Sequence, residues 1–178
     1  MCYYMPVLDA AFSGRFTEGQ NLIMTIDDFE FPEMFGLAKG WMYTQKLQNS
    51  TGGKPETHDL YKLWVLADRL LIPKLQNDAI TEIINQTGKD TPYTASYWIY
   101  QNTMPDSKLR RVFIDKCASE VDENHLAKMS KEGKLSPEFV TDVFLALKNG
   151  TLDTRFFYLN RRPRKLKVED YKVVETNL

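Results

Sequence analysis

Apolar residues recur along most of the chain at a spacing of three or four, the period of a helix with one buried stripe. The clearest case is DLYKLWVLADRLLIPKLQNDAITEII, residues 59–84. Leu60, Leu63, Trp64, Ala67, Leu70 and Leu71 form one continuous apolar face. Thr57 or Asp59 can cap the start of this helix. Pro73 cannot continue it, because the proline ring clashes with a carbonyl one turn back, but it can open a second helix. Leu75, Ala79, Ile80, Ile83 and Ile84 then supply that helix's buried face, so the pattern predicts a helical hairpin with a corner at Ile72-Pro73.

The remaining patterns are shorter. Tyr3 to Phe12 predicts a short helix, and alternation over Leu22–Ile26 predicts the one strand. Pro32 suits the first turn of a helix carrying Phe35, Ala38, Trp41 and Met42. QNSTGGKPETH, Gln48 to His58, is polar with two glycines and a proline, and predicts a surface loop. TGKDTP, Thr87 to Pro92, marks a boundary. Three helical patterns follow. The first carries Tyr97, Trp98 and Ile99. The second starts near Asp106 and carries Leu109, Val112, Phe113 and Val121. The third opens at Ser136-Pro137, buries Phe139, Val140, Val143, Phe144 and Leu147, and stops at Gly150. The predicted organisation is a first segment at 1–86, a helical extension at 92–150 and a basic, partly disordered tail at 151–178.

Composition narrows the class. A chain of 178 residues, 43% hydrophobic and 26% charged, has the balance of an ordinary globular protein. Its net charge of −1 provides no whole-protein field favouring nucleic acid or a membrane surface. No apolar run approaches the ~20 residues that cross a bilayer, and the N-terminus lacks a signal-peptide pattern. Cys2 and Cys117 are far apart and in no metal spacing, which points to a reducing compartment rather than a disulfide framework.

Candidate chemistry is sparse. His58 and His125 sit in polar surroundings on different elements, with no ligand set of defined spacing around either. Cys117 falls on an apolar helical pattern and reads as core. STGGKPETH has some of the look of a phosphate loop. However, Gln48 stands where such a loop needs its first glycine, and Pro55 stands where it needs Ser or Thr after Lys54. Asp27-Asp28 reads as turn and helix-start chemistry. No enzyme, cofactor or metal is expected. RRPRKLK carries Arg161, Arg162, Arg164, Lys165 and Lys167. It reads as a solvated tail, a nuclear-import signal or a salt-sensitive phosphate contact.

Three stretches, YYMPVLDAAFSGRFTEGQ, FPEMFGLAKGWMYTQKL and DLYKLWVLADRLLIPKLQNDAITEII, stand in an order and at a spacing that resemble the second half of a BTB/POZ domain, of the type found in filamentous fungi. The resemblance covers Cys2 to about Ile84, and residues 93–150 are similar to the helical extension that follows the domain in such proteins. It implies a mainly α fold with an α+β remnant: a truncated BTB/POZ domain with one or few strands, lacking its first third, followed by helices.

The resemblance also implies a function. BTB domains are protein–protein interaction modules, and those that recruit cullin ubiquitin-ligase scaffolds carry a hydrophobic-x-Glu triplet in the loop after the helix that here begins at Cys2. Phe16-Thr17-Glu18 falls there. An aromatic ring filling a partner pocket beside an orienting carboxylate has the physics of a binding hot spot. The expected partners are proteins, a cullin scaffold among them, in cytoplasm or nucleus. Homodimerisation stays open, because the elements that usually form the dimer interface of such domains are not recognised in this sequence. The alternatives are a nuclear, transcription-associated BTB protein using the basic run, and a shortened product with no activity of its own.

Overall fold

The structure is a computed structural model that describes residues 10, 13, 20–21, 30–86, 93–120, 123–148 and 166–175. It is mainly helical, and no strand occurs among the described residues. The expected strand Leu22–Ile26 lies outside them; of the expected helix Tyr3–Phe12 only Ala10 is described, and it is helical. The helices are α1 (Glu33–Thr44), α2 (Thr57–Arg69), α3 (Pro73–Asn85), α4 (Ala95–Asn102), α5 (Lys108–Glu120), α6 (Glu123–Lys131) and α7 (Pro137–Lys148), with a 3-10 turn at Val168–Tyr171.

Two compact units divide the chain. One comprises Met1–Ala79 with Val173–Leu178, the other Ile80–Lys172, so the division falls inside α3. The expected boundary at Thr87–Pro92 lies outside the described residues.

In the first unit, α1 packs on α2. Met34, Ala38 and Trp41 of α1 meet Leu63, Leu66, Ala67 and Leu70 of α2, with Ile72 and Leu75 completing the cluster. Of the expected apolar face, Leu60, Leu63, Trp64, Ala67 and Leu70 are buried, whereas Leu71 is 60% exposed, because it turns out of the helix in a left-handed conformation before Pro73. Residues Leu60 to Ala67 are buried on every side, Lys62 included, so α2 is the central helix of this unit. The Lys62 Nζ lies over the face of Phe31, 3.7 Å from the ring centroid, a cation–π geometry that suits an amine set against apolar surface. The position before α2 is Glu56, extended and with no side-chain cap, rather than the expected Thr57 or Asp59.

Pro73 opens α3 as its sequence predicts. The corner before it is a Schellman motif: the Ile72 amide donates to the Ala67 carbonyl at 2.8 Å, and the Leu71 amide to the Asp68 carbonyl at 3.1 Å. Further along, the side chain of Asn77 pairs with the backbone of Val173. Its amide donates to the Val173 carbonyl at 3.0 Å, and its oxygen accepts from the Val173 amide at 2.6 Å.

In the second unit, α5 and α7 make the most extensive helix pair, and α4 packs on both. Leu109, Val112, Phe113 and Cys117 of α5 are buried with Phe139 and Val143 of α7. The Phe113 and Phe139 rings lie 5.0 Å apart, and Tyr100 meets Phe139 edge-on at 6.1 Å. Phe144 departs from expectation: it is 62% exposed. The apolar run FVTDVFLAL is wider than the stripe that one neighbouring helix pair can cover, so Phe139 and Val143 reach the core while Phe144, a hundred degrees round the helix, does not. The short helix α6 was not foreseen, since its apolar positions, Leu126 and Met129, are few and only partly buried.

Candidate functional site

The outward stripe of α5 carries Lys108, Arg111, Ile114 and Asp115, at helical spacing opposite the buried Leu109, Val112 and Phe113. This stripe receives the 3-10 turn Val168–Tyr171. Tyr171 is 4% exposed, and its phenol donates to a carboxylate oxygen of Asp115 at 2.7 Å. The Arg111 guanidinium lies 5.8 Å from the centroid of the Tyr171 ring. Lys108 reaches the Asp170 carbonyl at 3.5 Å, the long end of hydrogen-bond range.

An open groove of about 420 Å³ shares Arg111, Ile114 and Asp115 with this seat, and is completed by Pro105, Asp106, Asp142 and Ala146 among others. Asp142 accepts a 2.6 Å hydrogen bond from Tyr100. Burial, together with the neighbouring Asp142 carboxylate, pushes the Tyr100 phenol far above its ordinary value of 10.0, so it acts as a fixed donor and not as a base.

Beneath the stripe, two cations on α5 terminate other helices. Arg110 is buried and donates to the Tyr100 carbonyl at 2.6 Å and to the Thr103 hydroxyl at 2.9 Å, with a further bond to the Thr103 carbonyl. Its guanidinium carbon also lies 4.3 Å from the Tyr100 ring centroid. Lys116 is buried and donates to the Gln86 carbonyl at 2.6 Å, just past the end of α3. A cation at a helix C-terminus satisfies orphan carbonyls and complements the helix dipole. The same geometry fixes α5 in position and so fixes the stripe on its other side.

The residues singled out in the sequence fall elsewhere. Phe16, Thr17 and Glu18 lie outside the described residues, as do Arg161, Arg162, Arg164 and Lys165. Lys167 is described and exposed, and its carbonyl accepts from the Asp170 amide at 3.1 Å. The Ser-Thr-Gly-Gly loop is closed on itself. The Asn49 side-chain oxygen accepts from the Thr51 amide at 3.1 Å, the Thr51 hydroxyl at 2.8 Å and the Gly53 amide at 2.8 Å. The amides a phosphate would need are thus already engaged. His58 is exposed, 3.9 Å from Asp59; burial, then the nearby Lys62 charge, holds its imidazole below the ordinary 6.5. Cys117 is fully buried.

Tyr171, Asp115 and Arg111 were not foreseen. Their only sequence signal is Glu169-Asp170-Tyr171, an aromatic after two acids in a weakly apolar tail. Among the described residues no group of His, Cys, Asp and Glu could hold a metal ion, and no helix is long and apolar enough to cross a membrane. Compared with known proteins, the chain matches no family, no curated protein and no solved structure.

Proposed function

We propose that the protein is a non-enzymatic protein–protein interaction module of the BTB/POZ type, serving as an adaptor to a cullin ubiquitin ligase. The observation that carries the reading is the sequence of elements in the first unit. A helix (α1), a polar loop and two helices joined at a tight corner (α2 and α3) follow one another, and Met34, Ala38 and Trp41 of α1 pack onto Leu63, Leu66 and Leu70 of α2. This supports the order that the sequence resemblance implies for the second half of such a domain. In this reading Phe16 fills a pocket on the scaffold and Glu18 orients the approach, with Thr17 between them.

The test is a titration of the purified chain against the N-terminal domain of a BTB-recruiting cullin, with Phe16→Ala and Glu18→Lys alongside and a thermal melt on each. Micromolar or tighter binding, lost in both variants while the melts hold, is the expected result. Wild-type binding that survives Phe16→Ala undiminished removes the triplet as the contact. A cooperatively folded chain that binds no cullin leaves an interaction module with a different partner.

A further inference from the structure

We propose that the α5 stripe of Lys108, Arg111, Ile114 and Asp115 is a recognition site for a tyrosine preceded by acidic residues, that the chain's own Glu169-Asp170-Tyr171 occupies it in this structure, and that a partner segment of the same pattern takes it by exchange. The inference is independent of the Phe16–Glu18 reading and concerns a different unit.

The occupant seated on the stripe states the chemistry. The ring of Tyr171 is buried while its phenol reaches Asp115 at 2.7 Å, so the site distinguishes tyrosine from phenylalanine by one hydrogen bond to a carboxylate. Arg111 stands over the ring at 5.8 Å, and Lys108 meets the backbone at Asp170. Lys108 and Arg111 on α5 face a turn, Val168–Tyr171, that also carries Glu169 and Asp170, and this complementarity of charge favours an acidic flank. The seat continues into the open groove through Arg111, Ile114 and Asp115, leaving room beside the tyrosine for a longer ligand than the turn itself.

The attachment is also of the kind that exchanges. Of the four residues in the turn only Tyr171 is buried, and Glu169 and Asp170 are exposed. At the turn itself the hold is one ring, one phenol bond and the long Lys108 contact, with the next anchor the Asn77 side chain at Val173, so the turn opens at lower free energy than the α5–α7 core beneath it. A tethered ligand of this kind competes with any free one through its high effective concentration, so the intact chain masks its own site. The Asp115 carboxylate excludes a phosphotyrosine, whose charge of about −2 would meet it directly.

The experiment uses the full chain and a fluorescent peptide of residues 166–172, LKVEDYK, followed by anisotropy. The wild-type chain should bind the peptide weakly. Tyr171→Ala should bind roughly tenfold tighter or more, because self-competition is gone. Adding Asp115→Ala to it should abolish the gain, and a phosphotyrosine version of the peptide should not bind. If a folded Tyr171→Ala chain binds no better than wild type, or binds the phosphopeptide as well as the plain one, the proposal is overturned. Should Tyr171→Ala lose its cooperative melt, hydrogen exchange on the wild-type chain decides. Excess unlabelled peptide that deprotects the Tyr171 and Lys172 amides supports exchange, and unchanged protection overturns it.

Discussion

The indole N–H of Trp41 donates to a carboxylate oxygen of Asp78 at 2.8 Å, joining α1 to α3 within the first unit. Trp41 is fully buried, so its one polar atom has no recourse to water. Removing the acceptor with Asp78→Ala should cost about 1–3 kcal/mol, the penalty of an unpaired buried donor. For a chain of this size that lowers the melting temperature by about 2–4 °C for each kcal/mol. Asp78→Asn keeps an accepting oxygen and should cost less. Equal losses in the two variants, measured by thermal melts, would show that the bond contributes nothing.

Leu71 and Gly133 occupy the same place in two Schellman motifs, with φ of 53° and 67°. At the end of α6, Gly133 accepts this left-handed conformation freely, and the Lys134 amide donates to the Met129 carbonyl at 3.0 Å. At the end of α2 a leucine bears the steric cost and is also 60% exposed. Leu71→Gly should therefore stabilise the chain by about 1 kcal/mol, less any entropy gained by the unfolded state. A urea midpoint that falls in this variant would mean Leu71 makes a contact worth more than its strain.

Arg110 holds the end of α4 through a planar fork, which a lysine cannot reproduce. Arg110→Met should destabilise by about 2–3 kcal/mol, because the Tyr100 and Thr103 groups lose a charged donor. Arg110→Lys should fall between Met and wild type. Denaturant midpoints for the three chains test this ordering, and a methionine variant as stable as wild type would contradict it.

Burial holds the Asp68 carboxyl above its ordinary 3.8, against the opposing pull of the Gln76 hydrogen bond and the Arg69 charge. A carboxyl raised in the folded state contributes stability below its unfolded value, and that contribution is lost as pH rises through the folded value. Asp68→Asn, which can still accept from Gln76 at the same oxygen, should thus melt at or above wild type at neutral pH. The gap should close in wild type's favour as pH falls toward the acidic range. A gap that widens on acidification would reverse the assignment.

The hairpin at residues 59–84 was legible in the sequence because its information is local. A period of three to four places Leu60, Leu63, Trp64, Ala67 and Leu70 on one face, all of them buried, and Pro73 can only begin a helix; Leu71, expected on the same face, is exposed. The closed polar loop before it was legible for the same reason. Phe144 was not, because periodicity shows that a side chain is apolar on a helix but not how wide a stripe the neighbours can cover. Tyr171 was not, because its partner Asp115 is 56 residues away and nothing in a short acidic tail encodes that distance.

The sequence by itself determined a mainly helical chain, its main helix patterns and the apolar faces on which they pack. Only the tertiary structure decided where the charges go. The helical pattern singles out neither Arg110 nor Lys116, yet each is buried at the end of another helix, since the unpaired carbonyls there make a buried cation tolerable. The tyrosine seat on α5 follows from the same cause: a long-range pairing of polar groups, which hydrophobic periodicity does not carry.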